Sequence, residues 1–126
     1  MSLQIKPTVK TPGIEFDSNN GTITIKGISI PEDPQEFFEP LNTQIDEYIL
    51  TPSETTFLDF KLEYFNTSTT LIIRNLIRKL RAISDKTNFK VRWYYETDDE
   101  DMEEAGEEFK MLFRDVDFEI IGVNHF

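Results

Sequence analysis

The sequence predicts an α/β domain: an N-terminal β-hairpin followed by α-β-α-β-α-β, with a central mixed sheet and helices packed against it. Three observations carry this. Asn20-Gly21 stands between two alternating apolar segments, the short-range signature of a tight hairpin. Residues 58–80 change period in mid-run, from the alternation of a strand to the spacing of a helix. Residues 89–113 make the same change again. A single domain over residues 1–126 follows, with its core at about 14–121.

Residues 1–12 are polar, carry Pro7 and Pro12, and are expected to be loosely held. Ile14-Glu15-Phe16 and Thr22 to Ile28 flank Asp17-Ser18-Asn19-Asn20-Gly21, and this hairpin is expected at an edge of the sheet. Asp33, Pro34 and Glu36 form a helix start, with a cap, a proline in the first turn and an acid three residues on. The buried stripe of that helix is Phe37, Phe38, Leu41, Ile45, Tyr48 and Ile49. Pro40 falls inside it and is expected to kink or divide it.

Leu58, Phe60, Leu62 and Tyr64 alternate with Asp59, Lys61 and Glu63, which makes a half-buried strand. From Leu71 onward Ile72, Ile73, Leu76, Ile77, Leu80 and Ile83 recur at helical spacing. Asn66, Thr67, Ser68, Thr69 and Thr70 occupy the junction, at the positive end of the helix. Asn, Ser and Thr are the ordinary N-cap residues, so capping accounts for one of them. Four consecutive hydroxyls exceed what one cap needs, and a phosphate would be tolerated there.

Phe89, Val91, Trp93 and Tyr95 alternate with Lys90, Arg92 and Tyr94 in a further strand. On it Trp93 and Tyr95 share one face and Tyr94 takes the other, a pattern that core and surface packing explains. Residues 96–108 hold nine carboxylates, with Met102, Ala105, Phe109, Leu112 and Phe113 at helical spacing through and beyond them. This is an amphipathic helix starting near Asp98 or Asp99, with Gly106 placed for close packing. Residues 118–121 make a last short strand, and the later strands are expected to be parallel.

Composition excludes several functions. There is no Cys, hence no disulfide, zinc-thiolate site or thiol catalysis. The net charge of −11 would repel nucleic acid and anionic membranes, and favours a basic protein partner. No apolar run is long enough to span a membrane, and the N-terminus lacks a signal-peptide layout, so a cytoplasmic protein is expected. His125, the one histidine, stands beside the C-terminal residue and offers little for acid–base work. Asp98, Asp99 and Asp101 are candidates for a divalent cation, but they lack the spacing and the turn glycine of a calcium loop. No metal or cofactor is expected. Glu103 and Glu104, on the acidic helix, are candidates for docking a basic partner surface.

Gly27-Ile28-Ser29-Ile30-Pro31-Glu32, then Tyr64-Phe65-Asn66-Thr67-Ser68, then Trp93-Tyr94-Tyr95-Glu96 with Asp98 to Met102 and Glu104-Ala105-Gly106, stand in the order and spacing of one known family. Over roughly residues 14–121 the chain resembles the SiaC family of bacterial regulatory phosphoproteins. The resemblance implies a fold similar to the STAS domain, whose phosphorylated hydroxyl lies at a strand-to-helix junction. It implies Thr67 as the phosphorylated residue, with Ser68 second. It implies a protein kinase that adds the phosphate and a PP2C-type phosphatase that removes it. The unphosphorylated form would bind and activate a diguanylate cyclase, raising cyclic di-GMP and promoting biofilm formation. Contacts to that partner are expected from Tyr64, Asn66, Thr67, Ser68, Thr69 and Thr70. Where the family commonly has Ser-rich positions followed by Lys, this chain has Thr69, Thr70 and Leu71. The competing class is a small carboxylate- or metal-dependent enzyme working through residues 96–108.

Overall fold

In chain order the elements are β1 (Ser2–Ile5), β2 (Gly13–Asp17), β3 (Thr22–Ser29), α1 (Pro34–Tyr48), β4 (Thr55–Phe65), α2 (Thr67–Arg81), β5 (Asn88–Glu96), α3 (Glu100–Leu112) and β6 (Asp117–Val123). They come from a computed structural model that describes residues 2–126; Met1 lies outside the described residues. The strands form one six-stranded sheet whose spatial order equals the chain order. β1, β2 and β3 pair antiparallel, and β3 to β6 pair parallel. Each parallel connection carries one helix, as a crossover must.

Alternation sorts each strand into two faces. Ile14, Phe16, Ile23, Ile25, Leu58, Phe60, Leu62, Val91, Trp93 and Phe118 are buried. They join Phe38, Leu41, Ile45, the six-residue stripe of α2 from Thr69 to Leu80, Met102 and Phe109 in one continuous core between sheet and helices. The alternate residues, among them Thr24, Lys26, Lys61, Arg92, Tyr94 and Glu119, face the other way and keep access to water. Asp59 is the charged exception on that face. It is buried beneath Arg92, which grips both its carboxylate oxygens at 2.7 Å and lies 3.9 Å from the Phe57 ring centroid.

Three expectations need correction. Residues 2–5 are not loose: Leu3 pairs with Phe16 and Ile5 with Ile14, so β1 and not the hairpin forms the edge. The reason is the open ladder of β2, whose N–H and C=O groups are best satisfied by another strand. Pro40 does not divide α1, which runs unbroken for 15 residues. The bond that Pro40 cannot donate falls on an exposed stretch, where the freed carbonyl is not sealed in the core, while Phe38, Leu41 and Ile45 hold both halves on the sheet. The second helix begins at Thr67, four residues before its apolar periodicity becomes visible at Leu71.

Gly106 does what its position predicted. A Cβ there would stand 2.5 Å from Trp93 Cδ1, so the helix backbone rests directly on the indole. The indole N–H donates to Met102 O at 3.0 Å. Phe60, Phe65, Phe109 and Phe118 surround the ring. Trp93 is therefore a core residue that fastens α3 to the sheet.

Candidate functional site

Parallel topology gathers the ends of β3, β4 and β5 and the starts of α1, α2 and α3 along one edge of the sheet. Ligands and partners of open α/β sheets use this edge, because loops and helix N-termini meet there. A bulge shapes it. Between Gly27 and Ile28 the register with β4 slips by one, leaving Glu63 unpaired and setting Ser29 opposite Phe65. Gly27 takes a φ of +97° at this point, which suits a residue without Cβ.

Ser29 then meets the start of α2. Its carbonyl accepts the Asn66 N–H at 3.1 Å and lies 3.1 Å from Thr69 Oγ1. Its hydroxyl lies 2.9 Å from the same Oγ1. Asn66, extended at φ −94° and ψ 176°, is the N-cap. Its Oδ1 accepts the Thr69 N–H at 3.2 Å and the Ser68 hydroxyl at 2.9 Å, and lies 3.0 Å from Thr69 Oγ1.

The junction thus divides its hydroxyls by task. Thr69, 1% exposed, is a buried structural group tied to Ser29 and Asn66. This corrects its expected place on a partner surface, since the first turn of α2 points its third residue into the core. Ser68 is half-buried and spends its proton on the cap. Thr70 is half-buried. Thr67 is exposed, stands at the first helical position, and takes no part in the capping network. Its N–H and that of Ser68 belong to the helix end whose donors lack intrahelical acceptors.

Two exposed apolar side chains lie near Thr67. Tyr64, 56% exposed, precedes it, and Leu71, 59% exposed, lies one helical turn beyond on the same face. Sequence reading took Leu71 as the start of a periodic run and as a departure from the family's pattern, without placing it on an exposed face. The signal was there: Ile72 and Ile73 define the buried stripe, and Leu71 falls opposite it.

Beside Tyr64 a cleft of about 370 Å³ opens between the end of β4 and the start of α3. Phe65, Met102 and Ala105 give it apolar walls, and Glu63, Asp99 and Asp101 give it charge. Asp99 is also the cap of α3, accepting the Met102 N–H at 3.1 Å. Glu63, Asp99 and Asp101 are therefore the carboxylates of this cleft; sequence reading had already offered the acidic segment that holds Asp99 and Asp101 for docking on a basic partner, but not Glu63. Glu103 and Glu104 are exposed on α3. Glu103 accepts the Tyr95 hydroxyl at 3.0 Å, and this bond to a carboxylate holds the Tyr95 phenol above its ordinary pKa.

Among the described residues no three His, Asp or Glu side chains converge as a metal site. Helical geometry spreads the acids of residues 100–108 around an exposed face. His125 is exposed, at the rim of a cleft on the opposite sheet face. No helix among the described residues is long and apolar enough to cross a membrane.

The family model described as "SiaC family regulatory phosphoprotein" matches residues 5–123. An uncharacterized protein of Pseudomonas aeruginosa strain UCBPP-PA14 is 28% identical over 109 residues, 86% of either chain. Among solved structures, the complex of the diguanylate cyclase SiaD with its activator SiaC from Pseudomonas aeruginosa matches with a TM-score of 0.86 and 26% identity, covering 96% of this chain and 99% of that one. Apo-SiaC from Pseudomonas aeruginosa matches at 0.81 and 25%, with 97% and 98% covered. On the match to nearly its whole length, this chain belongs to the SiaC family of regulatory phosphoproteins.

Proposed function

We propose that this chain is a non-enzymatic cytoplasmic regulator that binds and activates a diguanylate cyclase, and that phosphate on Thr67 releases it. The observation that carries this reading is the division of labour at the β4–α2 junction. Asn66 and Thr69 complete the cap, so the exposed Thr67 hydroxyl is left for a kinase and a partner. Ser68 is the weaker acceptor, because modifying it would break its bond to Asn66. The neighbour that shares the fold over nearly its full length was captured as the activator of a diguanylate cyclase, which supports the choice of partner.

A phosphate adds about −1.5 to −2 charge and three acceptor oxygens. At the first turn of α2 the helix itself would accept it, so the fold is expected to survive. The partner would not accept it. Tyr64, three residues before Thr67, and Leu71, one helical turn after it, are exposed and can offer apolar contact to a partner that meets the neutral hydroxyl. A dianion in that place must be desolvated on docking, beside Glu63, Asp99 and Asp101, at a cost of several kcal/mol, roughly a hundredfold or more in affinity. A PP2C-type phosphatase would restore binding.

The test is a set of three chains assayed with a cognate kinase and a diguanylate cyclase. Wild type is expected to take up one phosphate and lose its stimulation of the cyclase. Thr67→Ala is expected to stay unmodified, and Thr67→Asp to be impaired in part, having less charge and fewer oxygens. Equal phosphate incorporation in Thr67→Ala and wild type would overturn the assignment of Thr67. Charge reversal at Glu103 and Glu104 is expected to weaken docking; unchanged affinity would remove those two from the interface.

A further inference from the structure

We propose a ligand site on the helix-free face of the sheet, for a small planar anion: an aromatic or similarly flat body carrying one carboxylate or phosphate. A cleft of about 300 Å³ lies there, lined by Lys26, Lys61, Tyr94, Val123, His125 and Phe126. It is separate from the junction at Thr67, which lies at the sheet edge.

Pairing of the strands places its charges. Lys26 of β3 and Lys61 of β4 are direct partners in the parallel ladder, so two like charges stand side by side. Such a pair is unfavourable unless something negative lies across it. One row away the sheet solves the same problem internally, since Asp59 neutralises Arg92. At the lysine row the solution is incomplete. Lys26 reaches Glu15 at 3.3 Å, an exposed and therefore weak pair. Among the described residues Lys61 meets only the face of Tyr94, at 4.9 Å from Nζ to the ring centroid. In a chain with 24 acids and 13 bases, a lysine pair with a single surface carboxylate between them is a local reversal of sign.

The walls select the rest of the ligand. Tyr94, Val123 and Phe126 line the cleft with apolar surface beside Lys26 and Lys61, and the exposed His125 completes the lining. A planar body stacks between ring and side chains, while its acidic group bridges Lys26 and Lys61. The volume admits a ligand of one or two rings.

The probe is 1-anilinonaphthalene-8-sulfonate, titrated into the full chain by fluorescence, with benzoate and phenyl phosphate as competitors. Saturable binding at one site is expected, weakened by added salt because lysine charge carries it. Lys61→Gln and Lys26→Gln are each expected to weaken the dye roughly tenfold, the loss of one charge-assisted bond. Tyr94→Ala is expected to weaken it through lost stacking. Displacement by phenyl phosphate ahead of benzoate assigns a phosphate ligand, and the reverse order a carboxylate; either supports the site. Unfolding curves of the variants check that the fold is retained, and where one variant fails to fold the other two decide. No saturable binding, or binding equal in wild type and both lysine variants, overturns the proposal.

Discussion

Thr67 and Thr69 are two residues apart and chemically identical, yet the structure gives them opposite physics, and replacing each with valine separates them. Valine keeps the shape and removes the hydroxyl. Thr69 Oγ1 has three oxygens within 3.1 Å: Ser29 Oγ, Ser29 O and Asn66 Oδ1. One hydroxyl proton serves one acceptor, so the side chain donates once and accepts from Ser29. Loss of both bonds costs about 1 kcal/mol each, and stranding the fully buried Ser29 hydroxyl adds about 1 kcal/mol more. Thr69→Val is therefore expected to destabilise by about 2–3 kcal/mol. Thr67→Val, at an exposed first-turn position outside the network, is expected within about 0.5 kcal/mol of wild type. Urea denaturation reads both, with the emission of the sole tryptophan, buried Trp93, as the signal. Equal costs for the two substitutions would refute the division between a structural and a free hydroxyl.

Other outcomes follow from the same geometry. Gly106→Ala improves helix propensity by about 1 kcal/mol but drives a methyl to 2.5 Å from a locked indole, so a net loss of about 1–2 kcal/mol is expected in the same melts. A more stable variant would mean that α3 does not rest on Trp93. Arg92→Met leaves the buried Asp59 carboxylate without its bidentate partner and is expected to cost about 3 kcal/mol, with Asp59→Asn recovering part of it in the double variant. The Tyr95 phenol, held above the ordinary value of 10.0 first by its bond to Glu103, is expected to ionise at lower pH in Glu103→Gln than in wild type in an ultraviolet difference titration. Its folded pKa is the higher one. The contribution is thus complete below the unfolded value and is lost as pH rises through the folded value, and Glu103→Gln should narrow that alkaline window.

The fold was legible where the signal was local. The change of period at residues 58–80 marked the strand–helix junction, and the Asp33 and Asp99 caps marked two helix starts. The first turn of α2 was less visible, because Thr67 to Thr70 carry no apolar contrast. Thr69 belongs to the buried stripe with Ile72, Ile73 and Leu76, yet its hydroxyl masks that role until Ser29 is brought 40 residues along the chain to meet it. β1 escaped notice for a similar reason. Leu3 and Ile5 alone make a faint alternation, and what makes them a strand is the open edge of β2. Glu63 and Asp101 sit 38 positions apart and share a cleft only through the sheet. Lys26 and Lys61 likewise become neighbours through a parallel register that no spacing in the sequence reveals.

The most direct measurement is the dissociation constant of a cognate diguanylate cyclase for two forms of this chain, one with Thr67 bare and one with phosphothreonine installed at that position alone. The bare form is expected to bind at least about a hundredfold more tightly, with both forms equally folded by denaturation. Equal constants for the two would contradict the Thr67 switch.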